Sequence, residues 1–280
     1  MADDLLTRHD IALVRADNPG PFTLEGTNTW VVGRGPAWVV DPGPDLDAHV
    51  AAVAAEVTAR GGLGGIALTH SHGDHSGAVA RLLEAAGPAA VAAFEPAAPD
   101  GYRHRPSEEV RPRDGGPAEV RLGDGDRFGP FVAVATPGHS ADHLAFVAGG
   151  AAFTGDAVLG RGSVFVTSSL GPYLDALRRL RALPLEVLCP GHGPAVADPA
   201  GKLDEYLAHR LDRERRLLDA LDRGLRGEDE LLDEVWDDAP APLRPAAAVT
   251  MRAHLAKLAG EGRLPDGVDA GPPAGDPPEV

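Results

Sequence analysis

The sequence predicts a mixed α/β fold for the larger, N-terminal part of the chain and a smaller, all-helical unit after it. Between Ile11 and about Pro199, short apolar runs closed by Gly, Pro or Asp alternate with stretches rich in Ala and Leu, which is the pattern of α/β domains. Beyond Pro199 only helical patterns remain. The chain has 280 residues, of which 43% are hydrophobic, so it is long enough to bury one large core and carry an appendage.

Apolar runs bounded by turn residues predict the strands of the α/β part. They are Thr29–Val32, Ala37–Val40, Gly65–Leu68, Ala90–Ala93, Phe131–Ala135, Leu144–Val147, Ala151–Phe153 and Glu186–Cys189. Stretches rich in Ala and Leu predict helices at Leu46–Ala59, Ser76–Ala86 and Tyr173–Leu183. We expect these elements to form one domain, residues 1–199.

Three helical segments follow, at Leu203–Arg223, Glu228–Val235 and Arg244–Ala259, and the run Gly260–Leu264 turns out of the last one. Three helices followed by an extended turn are typical of a small winged-helix module, which we expect over residues 200–264. From Pro265 the chain is rich in Gly, Pro and Asp with little to bury. We therefore expect residues 265–280 to be a disordered tail.

Composition and charge restrict the location and the partners. The net charge of −16 disfavours unspecific binding to nucleic acid. No apolar run approaches the roughly 18 residues of a membrane span, and the first residues do not have the pattern of a signal peptide, so we expect a cytoplasmic protein without a membrane partner. The single cysteine, Cys189, excludes an internal disulfide and agrees with a reducing compartment. We interpret it as a packed strand residue.

Residues of metal-ligand type follow several of the predicted strands. His70, His139, Asp156 and His192 each come within a few residues after an apolar run, with Gly beside or near each of them. If the strands run alike, these side chains gather at one edge of the sheets, which is where open-sheet folds place their sites.

The densest group is the run from residue 69 to residue 75. His70 and His72 are two apart on an extended segment, so both imidazoles point to the same side and can share one ion. Gly73 allows a sharp turn, and Asp74 and His75 then project from the start of the next helix, where they can serve a second ion. Imidazole and carboxylate ligands suit zinc best, and iron or manganese are alternative occupants.

Taken singly, each of these residues has an ordinary structural explanation. His70 and His72 would be hydrogen-bonded loop histidines, and Asp74 a helix N-cap. His139 and His192 would be turn residues, and Asp156 would cap a strand end. Taken together they favour a metal site, because five of the eleven histidines fall into the pattern and three of these lie within six residues.

The combination resembles the metallo-β-lactamase-fold hydrolases. It consists of Thr-His-Ser-His-Gly-Asp-His at 69–75, Gly-His at 138–139 and 191–192, and Gly-Asp at 155–156. The resemblance implies a four-layer αββα sandwich with two stacked sheets between outer helices. It also implies a first metal on His70, His72 and His139, a second metal on Asp74, His75 and His192, a bridging ligand in Asp156, and a supporting carboxylate in Asp41.

Further segments resemble the β-lactamase-like group that carries a C-terminal winged-helix domain. They are Gly26–Trp30, Thr136–His143 and Tyr206–Arg210. Animal members of that group are known as endoribonucleases acting on single-stranded RNA, and many bacterial members have no settled substrate.

Two metal ions that share a bridging water would lower its pKa from about 15.7 towards about 7, which makes hydroxide available as the nucleophile. Ester, thioester, lactone and phosphodiester hydrolysis are all open to such a centre. Asp74 would orient the hydroxide and carry a proton to the leaving group. For His143 we expect a supporting hydrogen bond rather than a metal bond.

The substrate-binding residues stay unknown at this point. Asn28, Arg161, Thr167, Ser168, Ser169 and Tyr173 lie in segments that the resemblance places around the cleft. For each of them a structural role and a contact role are both open, and Ser168 and Ser169 have the alternative of capping the helix at Tyr173.

Three functional hypotheses remain. The first is hydrolysis of a small-molecule ester or thioester; the second is endoribonuclease activity on single-stranded RNA; the third is a non-catalytic, metal-containing regulator that binds DNA. Between Lys202 and Leu264 eleven basic residues face fourteen acidic ones, whereas a nucleic-acid-binding module is normally net positive. The arginines at 210, 213, 215 and 216 alternate with acidic residues, which is typical of a solvated, ion-paired helix face. The charge pattern therefore favours the small-molecule substrate.

Overall fold

Two β-sheets form the centre of the computed structural model, which describes residues 1–94, 119–168, 170–268 and 270. The first sheet contains β1 (Ile11–Arg15), β2 (Asn28–Val32), β3 (Ala37–Val40), β4 (Leu63–Ala67), β5 (Ala90–Phe94) and β6 (Glu119–Leu122), in that order. Strands β1 to β3 pair antiparallel, and β3 to β6 pair parallel. The parallel strands β3 and β4 therefore end at the same edge of this sheet.

The second sheet contains β7 (Arg127–Phe128), β8 (Phe131–Ala135), β9 (Leu144–Ala148), β10 (Ala151–Gly155) and β11 (Val187–Pro190), in the order β11-β10-β9-β8-β7. The strands from β7 to β10 pair antiparallel, and β10 pairs parallel with β11. The parallel pair again delivers two chain segments, those after β10 and β11, to one edge.

The helices are α1 (Ala2–Arg8), α2 (Asp47–Ala59), α3 (Gly73–Ser76), α4 (Val79–Ala86), α5 (Leu170–Ala182), α6 (Pro199–Asp222), α7 (Glu228–Val235) and α8 (Arg244–Gly260), with a short 3-10 helix at Ala241–Leu243. Within the described parts of the chain, none of them is both long and apolar enough to cross a lipid bilayer.

The side-chain alternation of the strands builds a four-layer sandwich. On β2, Trp30 faces the second sheet and packs edge-on against Phe153, with ring centroids 6.4 Å apart. The neighbouring Val31 faces outward, into a core shared with α2 and α4. On the far side of the second sheet, Leu188 packs with Leu177 of α5 and with residues of α6. This αββα arrangement confirms the predicted fold class.

Helices α6, α7 and α8 form a separate apolar cluster of their own. Leu217, Leu232 and Leu255 belong to its core, and Val268 packs against it. Among the described residues after Pro199 only helical elements occur, so the winged-helix assignment and the proposed domain limits stay predictions. The expected tail falls largely outside the described residues.

The predicted strands and helices all occur, with small shifts at their ends. One prediction was wrong in detail: the helix expected from Ser76 to Ala86 is interrupted after Ser76, because Ala78 donates its N–H to the carbonyl of Gly43 at 2.9 Å instead of continuing the helix. The sequence did not predict α1, β1, α3, β6, β7 or the short 3-10 helix as elements of their own. These elements are short, and their structure depends on packing against neighbouring elements rather than on a local sequence pattern. Cys189 is fully buried between the sheets, as expected.

Candidate metal centre

The strand ends bring all seven predicted ligand side chains together. His70, His72, Asp74 and His75 lie on the segment after β4, His139 lies between β8 and β9, Asp156 follows β10, and His192 follows β11. Their ligand atoms fall into three overlapping groups, each of which lies within 4.8 Å. Parallel pairing places the segments after β10 and β11 side by side, because the carboxyl ends of parallel strands share one edge.

Three imidazoles form the first group. His72 Nδ1 lies 3.0 Å from His70 Nε2 and 3.1 Å from His139 Nε2. Zinc–nitrogen distances of about 2.0–2.1 Å in a tetrahedral site require nitrogens a little over 3 Å apart. The spacing of these nitrogens fits a common metal ion.

The second group combines a carboxylate with two imidazoles. His75 Nε2 lies 3.3 Å from His192 Nε2 and 3.5 Å from Asp74 Oδ2. The distance between His192 Nε2 and Asp74 Oδ2 is 3.4 Å. These three atoms therefore form a triangle of the same size as the first group.

Asp156 lies between the two groups. Its Oδ2 is 3.6 Å from His139 Nε2 and 3.4 Å from His192 Nε2. Its Oδ1 is buried and lies 3.5 Å from His75 Nε2, but it has no hydrogen-bond partner among the described residues. A buried carboxylate oxygen without a donor is costly unless a cation balances it. The orphaned oxygen and the nitrogen-rich surroundings therefore fit a pair of divalent ions.

Hydrogen bonds on the far side of the rings aim the imidazoles at the centre. His75 Nδ1 donates to Asp41 Oδ2 at 2.9 Å, His139 Nδ1 to the carbonyl of Phe165 at 3.4 Å, and His192 Nδ1 to the carbonyl of Gly26 at 3.4 Å. His70 Nδ1 lies 3.0 Å from the Thr69 hydroxyl. In each of these rings Nε2 is left to face the other ligand atoms, which is how proteins orient metal-binding histidines.

Asp41 connects two parts of this arrangement. Its Oδ1 accepts from the backbone N–H of Thr69 at 2.7 Å, and its Oδ2 accepts from the Thr69 hydroxyl, also at 2.7 Å. The same Oδ2 accepts from His75. Because Thr69 Oγ1 is already donating to Asp41, it is available as an acceptor for His70. One buried carboxylate thus fixes an imidazole of each group.

His143 supports the metal centre through hydrogen bonds to Asp156 and Thr136. Its Nε2 accepts from the backbone N–H of Asp156 at 3.1 Å, and its Nδ1 lies 2.8 Å from the Thr136 hydroxyl. The ring stacks on His70, with centroids 5.0 Å apart. Burial, together with the neighbouring His139, lowers the pKa of His143 to about 3. The ring is therefore neutral, and both of its nitrogens have hydrogen-bond partners.

Burial and charge shift the pKa values of the clustered residues in opposite directions. Burial lowers the pKa of His70 well below its ordinary value. Burial also lowers the pKa of His75, but the carboxylates of Asp74 and Asp156 outweigh it and raise that pKa to about 10. For Asp156 burial raises the pKa, yet the charges of His192 and His75 hold it well below the usual range. The carboxylate is thus ionised, as a metal ligand must be.

The sequence did not predict the role of Thr27. Its hydroxyl donates to Asp74 Oδ2 at 2.9 Å, and its backbone N–H donates to Asn18 Oδ1 at 2.9 Å. Thr27 lies within the segment Gly26–Trp30 that the family resemblance singled out, which is the one signal that pointed to it. The hydroxyl holds the carboxylate of Asp74 towards the second group.

Several residues considered for substrate contact have structural roles. Asn28 is fully buried and donates to the carbonyls of Pro190 at 3.0 Å and Gly193 at 2.8 Å, on either side of His192. The buried Tyr173 hydroxyl donates to the carbonyl of Ala157 at 2.6 Å.

The loop after His139 engages two more of these candidates. Thr167 Oγ1 donates to the carbonyl of His139 and Ser168 Oγ to the carbonyl of Gly138. Ser169 lies outside the described residues, so its capping role stays a prediction. Both described side chains therefore hold the loop that carries His139.

Arg161 is the exposed member of the set, and it pairs with Glu25 at 2.5 Å. The exposed ring of Phe22 and the partly exposed ring of Phe165 meet edge to face, with centroids 6.0 Å apart. Because the Phe165 carbonyl accepts from His139, this aromatic pair is connected to the first group through the backbone of Phe165.

The αββα sandwich thus gathers seven histidines and aspartates of metal-ligand type at one edge of its sheets. The sequence matches the Metallo-beta-lactamase superfamily over residues 22–192, and the chain belongs to that superfamily.

Known relatives agree with this assignment. The chain is 37% identical over 216 residues to "Lactamase-like protein nscB" of Trichophyton rubrum, covering 75% of this chain and 63% of that protein. It is 35% identical over 218 residues to "Atrochrysone carboxyl ACP thioesterase AgnL7" of Paecilomyces divaricatus, covering 76% of this chain and 65% of that protein. The chain thus spans less than two thirds of the length of each.

Among solved structures, the metallo-beta-lactamase family protein TTHA1429 of Thermus thermophilus is similar, with a TM-score of 0.67 and 26% identity. The alignment covers 90% of this chain and 94% of that one. The similarity therefore includes the helices that follow the sandwich as well as the sandwich itself.

Proposed function

We propose that the chain is a binuclear metal-dependent hydrolase of small esters or thioesters. The observation that carries the proposal is the pair of donor groups that share Asp156, whose Oδ1 lacks a hydrogen-bond partner among the described residues. In this assignment the first ion would be held by His70, His72 and His139, the second by Asp74, His75 and His192, and Asp156 would serve both. Nitrogen and carboxylate donors suit zinc best, with iron or manganese as alternatives.

The chemistry supplied by the bound ions is activation of a water, with its pKa lowered from about 15.7 to about 7, and polarisation of the scissile carbonyl. The protein contributes the proton transfers. Asp74 is the carboxylate at the centre with the more exposed side chain, 29% against 10% for Asp156. It is therefore the one within reach of a substrate, and we assign it to orient the nucleophile and to pass a proton to the leaving group.

Thr27 keeps Asp74 in position for this role. Its hydroxyl donates to Oδ2, so Oδ1 is the atom that can exchange a proton with the leaving group. Asp156 and Asp41 are buried, which assigns them to binding and orientation rather than to proton transfer.

The Phe22–Phe165 pair supports an apolar acyl group as one portion of the substrate. Phe22 and Phe165 offer partly exposed ring surface, which binds acyl chains or aromatic acids through the hydrophobic effect. Arg161, four residues before Phe165 in the sequence, is paired with Glu25. A relative that is named as a thioesterase has the same reaction class.

The arginines of α6 do not offer a track for phosphates. Arg210 and Arg213 are buried, which corrects our expectation that all four arginines form a solvated face. Arg215 pairs with Asp212 at 2.7 Å, and Arg216 with Asp237 at 2.8 Å. Burial withdraws Arg210 and Arg213 from an RNA backbone, and the acidic partners of Arg215 and Arg216 oppose its approach, which favours the small-molecule substrate.

The test is a substrate panel on metal-reconstituted protein: acyl thioesters, aryl esters, lactones, bis(p-nitrophenyl) phosphate and single-stranded RNA. His72→Ala serves as the blank, and His9→Ala, a histidine outside the centre, as the matched control. We expect thioester or ester turnover that is lost in His72→Ala and kept in His9→Ala. Turnover of RNA but not of the acyl substrates would overturn the substrate class. A duplex mobility shift without any hydrolysis would overturn the enzyme assignment.

A further inference from the structure

Residues 160–168 form a loop, here called the bridging loop, that contacts a ligand of each donor group. At one end the N–H of Gly160 donates to the carbonyl of His192 at 2.9 Å. At the other end the carbonyl of Phe165 accepts from His139 Nδ1, and Thr167 Oγ1 donates to the carbonyl of His139. The position of this loop therefore affects where both histidines point.

The opposite side of the bridging loop is held by the C-terminal helices. Arg210 of α6 donates through Nη2 to the hydroxyl of Ser163 at 3.0 Å and to the carbonyl of Val164. Thr250 of α8 accepts the backbone N–H of Val166 at 3.1 Å. Arg210 and Thr250 are 2% and 1% exposed, so water does not compete for these bonds.

We propose that the C-terminal helices are a positioning element for the metal ligand His139, with Thr250 and Arg210 as the positioning residues. The inference rests on the proposed role of His139 as a ligand. Residues bonded to the C-terminal helices alternate along the loop with residues that hold His139: Val164 and Val166 contact the helices, while Phe165 and Thr167 contact the histidine. A displacement of the residues bonded to the helices therefore moves the residues that hold His139.

The hydrogen bond between His139 and Phe165 is the contact most sensitive to a displacement of the bridging loop. At 3.4 Å it is long for an N–H···O bond, so a small displacement of the loop breaks it and releases the ring. Metal ligands must be held within about 0.5 Å of the productive geometry. Loss of the bond that anchors Val166 therefore changes metal binding without touching a ligand.

The test measures Zn²⁺ affinity of the full chain by competition with a chromophoric chelator, without any substrate. We expect Thr250→Val, which keeps the shape but loses the acceptor, to weaken the first-group ion about three- to tenfold, somewhat less than the 10–100-fold typical of a direct partner of a ligand. Thr250→Ser keeps the hydroxyl and should bind Zn²⁺ like the wild type. Unchanged affinity in Thr250→Val would overturn the proposal.

Leu255→Val separates positioning from general stability. Leu255 is on the same helix, buried in the core of the three C-terminal helices, and Leu→Val lowers stability by leaving a gap. We expect it to lower the metal-free melting temperature at least as much as Thr250→Val does, while the Zn²⁺ affinity stays unchanged. An equal loss of affinity in both variants would reduce the role of Thr250 to stability and contradict the proposal.

Thr167→Val provides a second variant at the other end of the same path. If both threonines act through His139, the combined loss in Thr167→Val/Thr250→Val is smaller than the product of the single losses. Independent, multiplicative losses would contradict a common path. His139→Ala tests the underlying ligand assignment separately. If His139 is not a ligand, that variant binds Zn²⁺ like the wild type.

Discussion

The metal centre and the C-terminal helices both bury ionisable side chains, but they satisfy them differently. At the sheet edge, ligand atoms converge on one another, and Asp156 Oδ1 has no hydrogen-bond partner within the described parts of the chain. In the helices, charges close into pairs: Glu214 accepts from Lys257 at 2.7 Å and from Arg263 at 2.8 Å. Arg213 pairs with Asp238. Convergent ligand atoms indicate a cation site, whereas closed pairs indicate packing.

His254 of α8 sharpens this distinction. It is fully buried, and neither of its ring nitrogens has a hydrogen-bond partner among the described residues. Burial lowers the pKa of His254 well below its ordinary value, and the charges of Arg210 and Lys257 lower it further. The ring packs edge-on against Trp236, with centroids 5.7 Å apart. The cations around this neutral imidazole disfavour a further positive ion, so burial alone does not make a ligand.

The largest expected effect comes from Asp156→Asn. Removing the charge shared by both donor groups should lower kcat/KM at least about a thousandfold, since several kcal/mol of metal-based stabilisation depend on the ions being held correctly. His254→Leu is the control from the other region and should keep its activity. Full turnover by a folded Asp156→Asn protein would contradict the distinction between a cation site at the sheet edge and packed charges in the C-terminal helices.

Asp41→Asn should weaken Zn²⁺ binding about 10–100-fold, because Asp41 orients His75 and, through Thr69, His70. Asp238→Asn makes the same chemical change beside Arg213 and should leave metal affinity unchanged. Chelator competition measures both variants. If Asp238→Asn costs as much as Asp41→Asn, the effect is one of stability rather than of ligand orientation.

Thr27→Val tests whether the Thr27 hydroxyl positions Asp74, the proposed proton carrier. We expect kcat to fall about tenfold with little change in KM, because one hydrogen bond to a charged group is worth about 1.5 kcal/mol or more. Thr27→Ser keeps the hydroxyl and should restore the rate. Steady-state kinetics at saturating metal measures both, and a change confined to KM would speak against a role at Asp74.

The smallest effect is expected from Arg215→Gln on the exposed face of α6. Arg215 is paired with Asp212 and Asp219 in solvent, where such pairs contribute little. The melting temperature and the acyl-substrate kinetics should both equal those of the wild type. A selective loss of RNA turnover in this variant would instead give α6 a role in binding nucleic acid.

The clustering of the candidate ligand residues could be predicted because their signal is local. The segment from His70 to His75 carries four candidate ligands within six positions, and the others each follow an apolar run that does form a strand. The structure brings all of them together. Strand prediction succeeded for the same reason, since runs such as Phe131–Ala135 are apolar along their whole length.

The supporting residues could not be predicted because their partners are distant in sequence. Thr27 and Asp74 are 47 positions apart, and Thr250 and Val166 are 84 apart. Arg210 has the helical spacing and the charge of a surface residue, yet it is buried against the bridging loop. Only the folded packing of the helices against the sandwich determines these contacts.

The central claim is that two ions occupy two donor groups joined by Asp156, and metal content tests it most directly. Elemental analysis of Zn²⁺-reconstituted, desalted protein should give two equivalents per chain for the wild type. His139→Ala and His192→Ala should each retain one, because each variant removes a ligand of one group alone. A single equivalent in the wild type, or two equivalents in both variants, would contradict the account.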